Sequence, residues 1–345
     1  MAGQDNAADY FGPSYVRKIS PYIAGKPISE VAREFGLDEA RIVKLASNEN
    51  PLGMPASAKA AIAAATEDLG RYPDSNGFEL KAKLSEKYDV PAEWLTLGNG
   101  SNDILELAAH ALVRNGESIV YAEYSFAVYA LATQEVGARA IEVKSRAYGH
   151  DLDAMAAAIA PDTKLVFIAN PNNPTGTFVS AAEIEAFLAK VPPHVVVVLD
   201  EAYNEFLPPA DRVDTVGWVR RYANLLVVRT FSKIYGLAGL RIGYGVAAPA
   251  VADLLNRIRQ PFNVNNLALV AAAAALEDHQ FIAESYELNR RGMEQLLAGF
   301  KRLNLAHIPS HGNFITFAVP EGETGASLNQ KLLRQGVIVC PIAGY

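Results

Sequence analysis

The sequence contains little cysteine and no long apolar run. Cys340 is the single cysteine among 345 residues, so the chain can form neither an intrachain disulfide nor a cysteine-based zinc site. The apolar stretch from Leu267 to Leu276 is shorter than the roughly 18 residues of a membrane-spanning helix, and we interpret it as a buried helix. The N-terminus shows no basic start followed by an apolar run, which argues against a signal peptide. These features predict a cytoplasmic protein that does not enter a membrane.

Positive charge is also scarce. The net charge of −7 at pH 7 argues against a general nucleic-acid or anionic-membrane binder, because both of those surfaces are negatively charged. The histidines are scattered without metal-ligand spacing, so we expect no catalytic metal. Hydrophobic residues make up 50% of the chain and charged residues 20%, which is typical of a globular protein with a large core. A small anionic ligand is still compatible with this composition, because a local cluster of donors can dominate the global charge.

Short aliphatic runs alternate with helical patterns in the middle of the chain. The runs "LVFIA" and "VVVVL" do not alternate between apolar and polar residues, which indicates strands buried on both faces of a mostly parallel sheet. Ser180 and Asp151 are predicted N-caps of helices over 180–190 and 151–160. This alternation predicts an α/β fold. Strands are predicted over residues 118–123, 138–143, 164–170, 194–203 and 224–233.

The two ends of the chain differ in pattern from the middle. A long helix is predicted over 278–303 and a strand over 313–319. We therefore predict a large α/β domain of residues 47–265 and a smaller α+β domain that combines residues 1–46 with residues 266–345.

Polar residues follow four of the predicted strands at the points where the strands end. These segments are "LGNGSND" (97–103), "NPNNPTG" (170–176), "DEAY" (200–203) and "TFSK" (230–233). In open α/β sheets, ligands bind at the carboxyl ends of the strands. One such segment alone is a weak signal, but the four together predict a ligand site at this edge.

A lysine at such an edge has a specific chemical use. An amine that is shielded from water and close to other cations has a lowered pKa and becomes a nucleophile toward aldehydes. The aldehyde cofactor pyridoxal phosphate requires such a lysine, an acid at its ring nitrogen, donors to its phenolate oxygen, and a phosphate site. Lys233 can supply the first and Asp200 the second, while Asn173 and Tyr203 can supply the third. The sequence therefore predicts that the protein binds this cofactor, with Lys233 as the catalytic residue.

The phosphate site requires backbone N–H groups and a cation. A strand-to-helix turn at residues 100–102 can present N–H groups at a helix N-terminus, and an arginine can add a bidentate charge-assisted contact. The predicted phosphate ligands are Gly100, Ser101, Asn102, Thr230, Ser232 and Arg241.

Three motifs in this order resemble those of the fold-type-I pyridoxal-phosphate aminotransferases: "NPNNPTG" (170–176), "DEAYNEF" (200–206) and "SKIYGLAGLRIGY" (232–244). The patterns "KLASNENPLG" (44–53), "RYPD" (71–74) and "GNGSNDIL" (98–105) are similar to those of the histidinol-phosphate aminotransferase branch. The resemblance extends from about Tyr22 to the last residue. It implies a mostly parallel, mixed seven-stranded sheet flanked by helices, and ping-pong transamination with 2-oxoglutarate by a cytoplasmic homodimer.

The resemblance also implies roles that spacing alone does not indicate. Tyr72 would reach across the dimer interface to the phosphate of the neighbouring subunit's cofactor. Phe126 would stack on the cofactor ring, with Tyr124 as the alternative. The substrate side would be lined by Tyr22, Asn48 and Asn313.

Two departures from the family pattern concern the substrate. Cys340 stands in "GVIVCPIAGY" where members of the family commonly have an arginine. The family also continues beyond the position of Tyr345 with a strand that carries a substrate-clamping arginine, so we expect the smaller domain to be incomplete at its C-terminus.

Four reactions or roles therefore stay open. The first is transfer from histidinol phosphate to 2-oxoglutarate, giving imidazole-acetol phosphate and glutamate in histidine biosynthesis. The second is transamination of aromatic amino acids, which the loss of a cation at residue 340 favours. The third is a lyase that resembles phosphothreonine decarboxylase, and the fourth is a non-catalytic, cofactor-binding regulator. The acidic composition argues against the regulator.

Overall fold

A computed structural model describes residues 11–21 and 25–342 of the chain. Seven strands in this part of the chain form one sheet in the order β2-β8-β7-β6-β5-β3-β4, and two short strands, β1 and β9, pair in parallel elsewhere. The strands are β1 (Val43–Lys44), β2 (Leu95–Gly98), β3 (Ser118–Ala122), β4 (Arg139–Val143), β5 (Thr163–Ala169), β6 (Val196–Asp200), β7 (Leu225–Thr230), β8 (Gly243–Ala247) and β9 (Val337–Ile338).

The seven-stranded sheet is mixed and mostly parallel, as predicted. Only β8 runs antiparallel to its neighbours β2 and β7, while β3 to β7 pair in parallel. The β6 and β8 strands are buried along their whole length and β5 nearly so, because helices cover both faces. The carboxyl ends of β2, β5, β6 and β7 therefore meet at one edge of the sheet.

Most helices of the described residues flank this sheet, while α2 and α12 pack beside the β1–β9 pair. Both predicted N-caps are confirmed: the Asp151 side chain accepts from the Ala154 N–H, and Ser180 forms a capping box with Glu183. The helices are α1 (Ser14–Arg17), α2 (Ile28–Phe35), α3 (Ala56–Ala65), α4 (Phe78–Tyr88), α5 (Ser101–Leu112), α6 (Ala127–Glu135), α7 (Leu152–Ala157), α8 (Ala181–Leu188), α9 (Pro249–Ile258), α10 (Asn266–Ala275), α11 (His279–Arg302) and α12 (Gly325–Arg334). No helix in the part of the chain described by the structure is long and apolar enough to cross a membrane.

The two ends of the chain meet through the β1–β9 pair. Val43 lies opposite Val337, and a small apolar cluster around Val31, Ile42 and Leu333 packs beside the pair. The alanines of α10, by contrast, pack into the core beneath the seven-stranded sheet. The predicted domain boundaries at residues 47 and 265 stay predictions.

The prediction of a strand over residues 313–319 is wrong. Its backbone forms only an isolated bridge, between His307 and Phe317. The side chains of this segment bond to other parts of the chain instead: Thr316 Oγ1 donates to the Pro174 carbonyl at 2.6 Å, and Asn313 Nδ2 donates to the Asn48 carbonyl at 3.0 Å. The segment therefore lies over the sheet edge and forms one wall of a cavity.

Candidate active site

A cavity of about 660 Å³ lies at the carboxyl edge of the sheet. The last residues of β5, β6 and β7 line its floor, and residues 314–317 and part of α12 line the opposite side. Most of the residues predicted for the site line this one cavity: Asn48, Ser101, Asn102, Phe126, Asn173, Asp200, Tyr203, Thr230, Ser232, Lys233 and Arg241. The topology thus brings together side chains that are up to about 190 positions apart in the sequence.

Lys233 follows β7 and projects its amine into this cavity. Its Nζ donates a hydrogen bond to the Ser47 carbonyl at 3.0 Å and lies 5.5 Å from the centre of the Tyr203 ring. The pKa of Lys233 is lowered from 10.5 to about 8, mainly by burial, against Glu49, with a smaller lowering by Arg241 and an opposing effect of Asp200. A fraction of the amine is therefore neutral, and hence nucleophilic, near neutral pH.

Asp200 is the last residue of β6 and is buried. Its Oδ2 accepts from the Tyr129 hydroxyl at 2.9 Å, and its Oδ1 accepts from the Ala202 N–H at 3.2 Å. Burial raises the pKa of Asp200 to about 6, while the bond from Tyr129 limits that rise. The carboxylate is thus mainly ionised at neutral pH, and no cationic side chain among the described residues forms an ion pair with it, which suits it to a cationic ring nitrogen.

Neutral polar side chains line the same cavity as these two charged groups. Asn48 and Asn173 each donate their Nδ2 to the Tyr203 hydroxyl, at 3.0 and 3.3 Å. Asn313 in turn holds the backbone of Asn48 through the 3.0 Å bond to its carbonyl. Four polar side chains from distant parts of the chain therefore form one connected group.

The turn before α5 and Arg241 form a site for an anion. Gly100 has a φ of +87°, and a Cβ at this position would lie 2.2 Å from Nη2 of Arg241. The Nη1 of the same guanidinium donates to Ser232 Oγ at 3.2 Å and to the Ala238 carbonyl at 3.1 Å. A helix N-terminus and a guanidinium thus face the same space, which is an arrangement that binds phosphate.

The remaining predicted residues differ in position. Phe126 lines the cavity with its ring edge-on to Tyr129, at 5.9 Å between centroids. Tyr72 does not line it: the side chain is 82% exposed and stacks on Phe262 at 4.7 Å. Tyr22 lies outside the described residues.

Sequence reasoning missed three features of the site. The first is Tyr129, the partner of Asp200, which lies one helical turn after Phe126 and could have been found from that spacing. The second is the backbone carbonyl of Ser47, for which no sequence signal exists. The third is the wall opposite the sheet, which is mostly apolar and is formed by Phe314, Ile315, Phe317, Leu328, Val339 and Cys340, among others.

Comparison with known sequences identifies the family. A family model described as aminotransferase class I and II matches residues 40–345. The chain belongs to this family. It is 73% identical over 336 residues to histidinol-phosphate aminotransferase 1 of Cupriavidus pinatubonensis, covering 97% of this chain and 89% of that protein. It is 67% identical to histidinol-phosphate aminotransferase 2 of Ralstonia nicotianae, covering 97% of this chain and 90% of the relative.

Solved structures share the fold of this aminotransferase. The histidinol-phosphate aminotransferase of Sinorhizobium meliloti, in complex with pyridoxal 5′-phosphate, superposes with a TM-score of 0.87 and 26% identity over 96% of this chain and 89% of the other. The aspartate aminotransferase of Thermus thermophilus with maleate superposes with a TM-score of 0.80 and 23% identity, which establishes the similarity of the fold alone. The prediction of a fold-type-I aminotransferase is confirmed.

Proposed function

We propose that this aminotransferase uses pyridoxal phosphate to transfer the amino group of histidinol phosphate to 2-oxoglutarate, a reaction of histidine biosynthesis. The observation that carries the proposal is the convergence of Lys233, Asp200 and the Gly100–Arg241 anion site on one cavity. The relatives at 73% and 67% identity are both histidinol-phosphate aminotransferases, which supports the choice of substrate.

The residues of the cavity fit this cofactor. The Arg241 guanidinium packs against residue 100, which is possible only because that residue has no Cβ, and a phosphate group can bind beside the guanidinium. Asp200 would hold the ring nitrogen, and Tyr203 and Asn173 would bind the phenolate oxygen. Phe126 would pack against the ring. These groups match the charge and the donors that the cofactor presents.

The bound cofactor would supply a reactive aldehyde and a ring that accepts electrons. The chain's own residues would hold and move the protons. Asp200, as a buried carboxylate, would keep a proton on the ring nitrogen. Lys233 Nζ, with a pKa of about 8, would take the proton from the substrate's α-carbon, because a base works best when its pKa is near the working pH.

A second candidate is an aromatic amino acid aminotransferase. Lys233 and Arg241 supply the only cationic side chains that line the described part of the cavity, and both lie on the cofactor side. The opposite wall is largely apolar and contains the neutral Cys340 in place of a cation. An apolar wall favours an aromatic side chain over a phosphate group.

A panel of amino donors with 2-oxoglutarate would distinguish these candidates. Histidinol phosphate, phenylalanine and tyrosine are each tested with the wild-type enzyme and with Lys233→Ala. We expect the highest kcat/KM for histidinol phosphate and no transfer by the variant. A higher kcat/KM for phenylalanine or tyrosine would favour the second candidate, and carbon dioxide release would indicate a lyase instead.

We also infer that the enzyme is a cytoplasmic homodimer in which Tyr72 serves the partner's site. The exposed ring of Tyr72 lies outside the cavity of its own chain, which is consistent with such a role. A mixture of Tyr72→Ala and Lys233→Ala subunits tests the inference. In a hybrid dimer, one site receives an intact Lys233 from one chain and an intact Tyr72 from the other. Activity should therefore exceed that of either variant alone, and a simple average of the two would contradict a shared site.

A further inference from the structure

A buried ion pair lies directly behind the candidate active site. Arg229 donates to Glu201 Oε2 through Nε at 2.9 Å and through Nη2 at 2.7 Å. Their side chains are only 8% and 3% exposed, and neither residue lines the cavity. Each is nevertheless adjacent in sequence to a residue that does, since Glu201 follows Asp200 and Arg229 precedes Thr230.

The pair is surrounded by further polar groups. Thr215 Oγ1 lies 2.8 Å from each carboxylate oxygen of Glu201. Glu205 Oε1 approaches Arg229 Nη1 at 3.7 Å, and the same Nη1 donates to the Tyr88 hydroxyl at 3.4 Å. Additional titratable groups close to the pair are Lys87, Tyr235 and Tyr244. A side chain with this many partners is held in one position, because each alternative rotamer would break several buried hydrogen bonds.

The pair also joins the two strands that carry the site. The Glu201 N–H donates to the Val228 carbonyl at 2.9 Å, which continues the β6–β7 ladder by one residue. The ion pair adds a side-chain link at the same level. Asp200 lies immediately before this link, and the segment from Thr230 to Lys233 lies immediately after it.

We propose that Arg229 and Glu201 are positioning residues for the cofactor site, which fix the ends of β6 and β7 relative to each other and present Asp200 with a pair whose charges balance. The inference rests on the proposed function, because it assigns Asp200 to the ring nitrogen.

The electrostatic part follows from where the charges lie. The groups that act on Asp200 are Tyr129 from α6, the Ala202 N–H, Glu201 and Lys233. Glu201 is the one carboxylate among them, and charges in a buried region are weakly screened. If Arg229 is removed, the buried Glu201 should take up a proton, because Arg229 is the main group that lowers its pKa, and the neutral residue should then act little on Asp200. If the Glu201 charge is removed, the excess positive charge of Arg229 should lower the pKa of Asp200.

The test is the pH dependence of the pyridoxal phosphate dissociation constant, followed by the visible absorbance of the bound cofactor. Asp200→Asn identifies the part of the acid limb that belongs to Asp200. We expect Glu201→Gln to lower the midpoint of that limb by a few tenths to about one pH unit, because it leaves Arg229 unbalanced, and Arg229→Met to change the midpoint much less, because Glu201 then becomes neutral. The double variant should return to within a few tenths of a pH unit of the wild-type midpoint.

A purely structural role would not give this pattern. If Glu201→Gln raises the midpoint or leaves it unchanged, or if Arg229→Met moves it as far as Glu201→Gln does, the proposal is wrong. If Arg229→Met fails to fold, Glu201→Gln and the charge-conserving Arg229→Lys test the proposal instead. Glu201→Gln should lower the midpoint, and Arg229→Lys should leave it unchanged. The exposed pair Arg221–Glu185, with the same residue types at 2.7 Å, is the matched control and should have no effect on the midpoint. A wild-type protein that does not bind pyridoxal phosphate would overturn the proposed function, and this inference with it.

Discussion

The contact between Gly100 and Arg241 allows the effect of Gly100→Ala on stability and cofactor affinity to be predicted. Gly100 has φ and ψ of +87° and 170°, a conformation that residues with a Cβ rarely adopt. Forcing alanine into it costs about 1–3 kcal/mol of folding free energy. The new Cβ would also lie 2.2 Å from Arg241 Nη2 and 2.9 Å from its Cζ, so the guanidinium must move away.

The displacement of Arg241 sets the expected loss of cofactor affinity. A hydrogen bond to a charged group contributes about 1.5–3 kcal/mol, which corresponds to roughly a ten- to hundredfold change in a dissociation constant. The variant should therefore bind pyridoxal phosphate about ten- to hundredfold more weakly than the wild-type protein and should also unfold at a lower temperature.

Gly116→Ala is the matched control for this prediction. Gly116 has the same φ of +87°, but a Cβ there would have no heavy atom within 4 Å. This control should lose stability through backbone strain and keep its affinity for the cofactor. Calorimetric titration of pyridoxal phosphate and thermal unfolding of the cofactor-free protein measure the two effects separately. If Gly100→Ala binds the cofactor as tightly as Gly116→Ala does, Arg241 does not bind the phosphate group.

Three further predictions concern other residues that line the cavity. Asp200→Asn should stabilise the cofactor-free protein at about pH 8 but not at about pH 4. Folding raises the Asp200 pKa from 3.8 to about 6, so the wild-type protein loses up to ~3 kcal/mol of stability as the pH rises through that window. Equal effects of the substitution on thermal unfolding at both pH values would contradict this. Tyr203→Phe should weaken cofactor binding about tenfold, since two partly buried amides lose their acceptor. Substitution of the exposed Tyr148 by Phe should leave binding unchanged. Cys340→Arg should raise kcat/KM for histidinol phosphate about tenfold or more relative to phenylalanine, and an unchanged ratio would show that residue 340 does not contact the phosphate of the substrate.

The sheet and most of the cavity floor could be predicted from the sequence. The central strands were predictable because short continuous aliphatic runs in a globular chain usually form buried strands. The ends of these strands define the edge of the sheet at which Asp200 and Lys233 meet. The helix caps at Asp151 and Ser180 were predictable because the preference is local.

Features that depend on distant contacts could not be predicted in the same way. The segment 313–319 has the composition of a strand, but its side chains bond to Pro174 and Asn48, and no local pattern encodes those partners. The bond between Lys233 and the Ser47 carbonyl uses the backbone, so the residue type carries no signal for it. The ion pair of Arg229 could not be predicted for a related reason, because a charged residue inside an apolar strand does not identify its partner.

Burial acts on the two central groups of the site in opposite directions. It raises the pKa of the Asp200 carboxyl to about 6 and lowers that of the Lys233 amine to about 8, because in each case the charged form is disfavoured. A raised carboxyl pKa reduces stability above its value, and a lowered amine pKa reduces stability below its value. Both penalties are therefore present together between about pH 6 and pH 8. A ligand that places a cation against Asp200 and consumes the amine of Lys233 relieves both, so the same burial that prepares these groups for proton transfer also favours occupation of the cavity over the empty state.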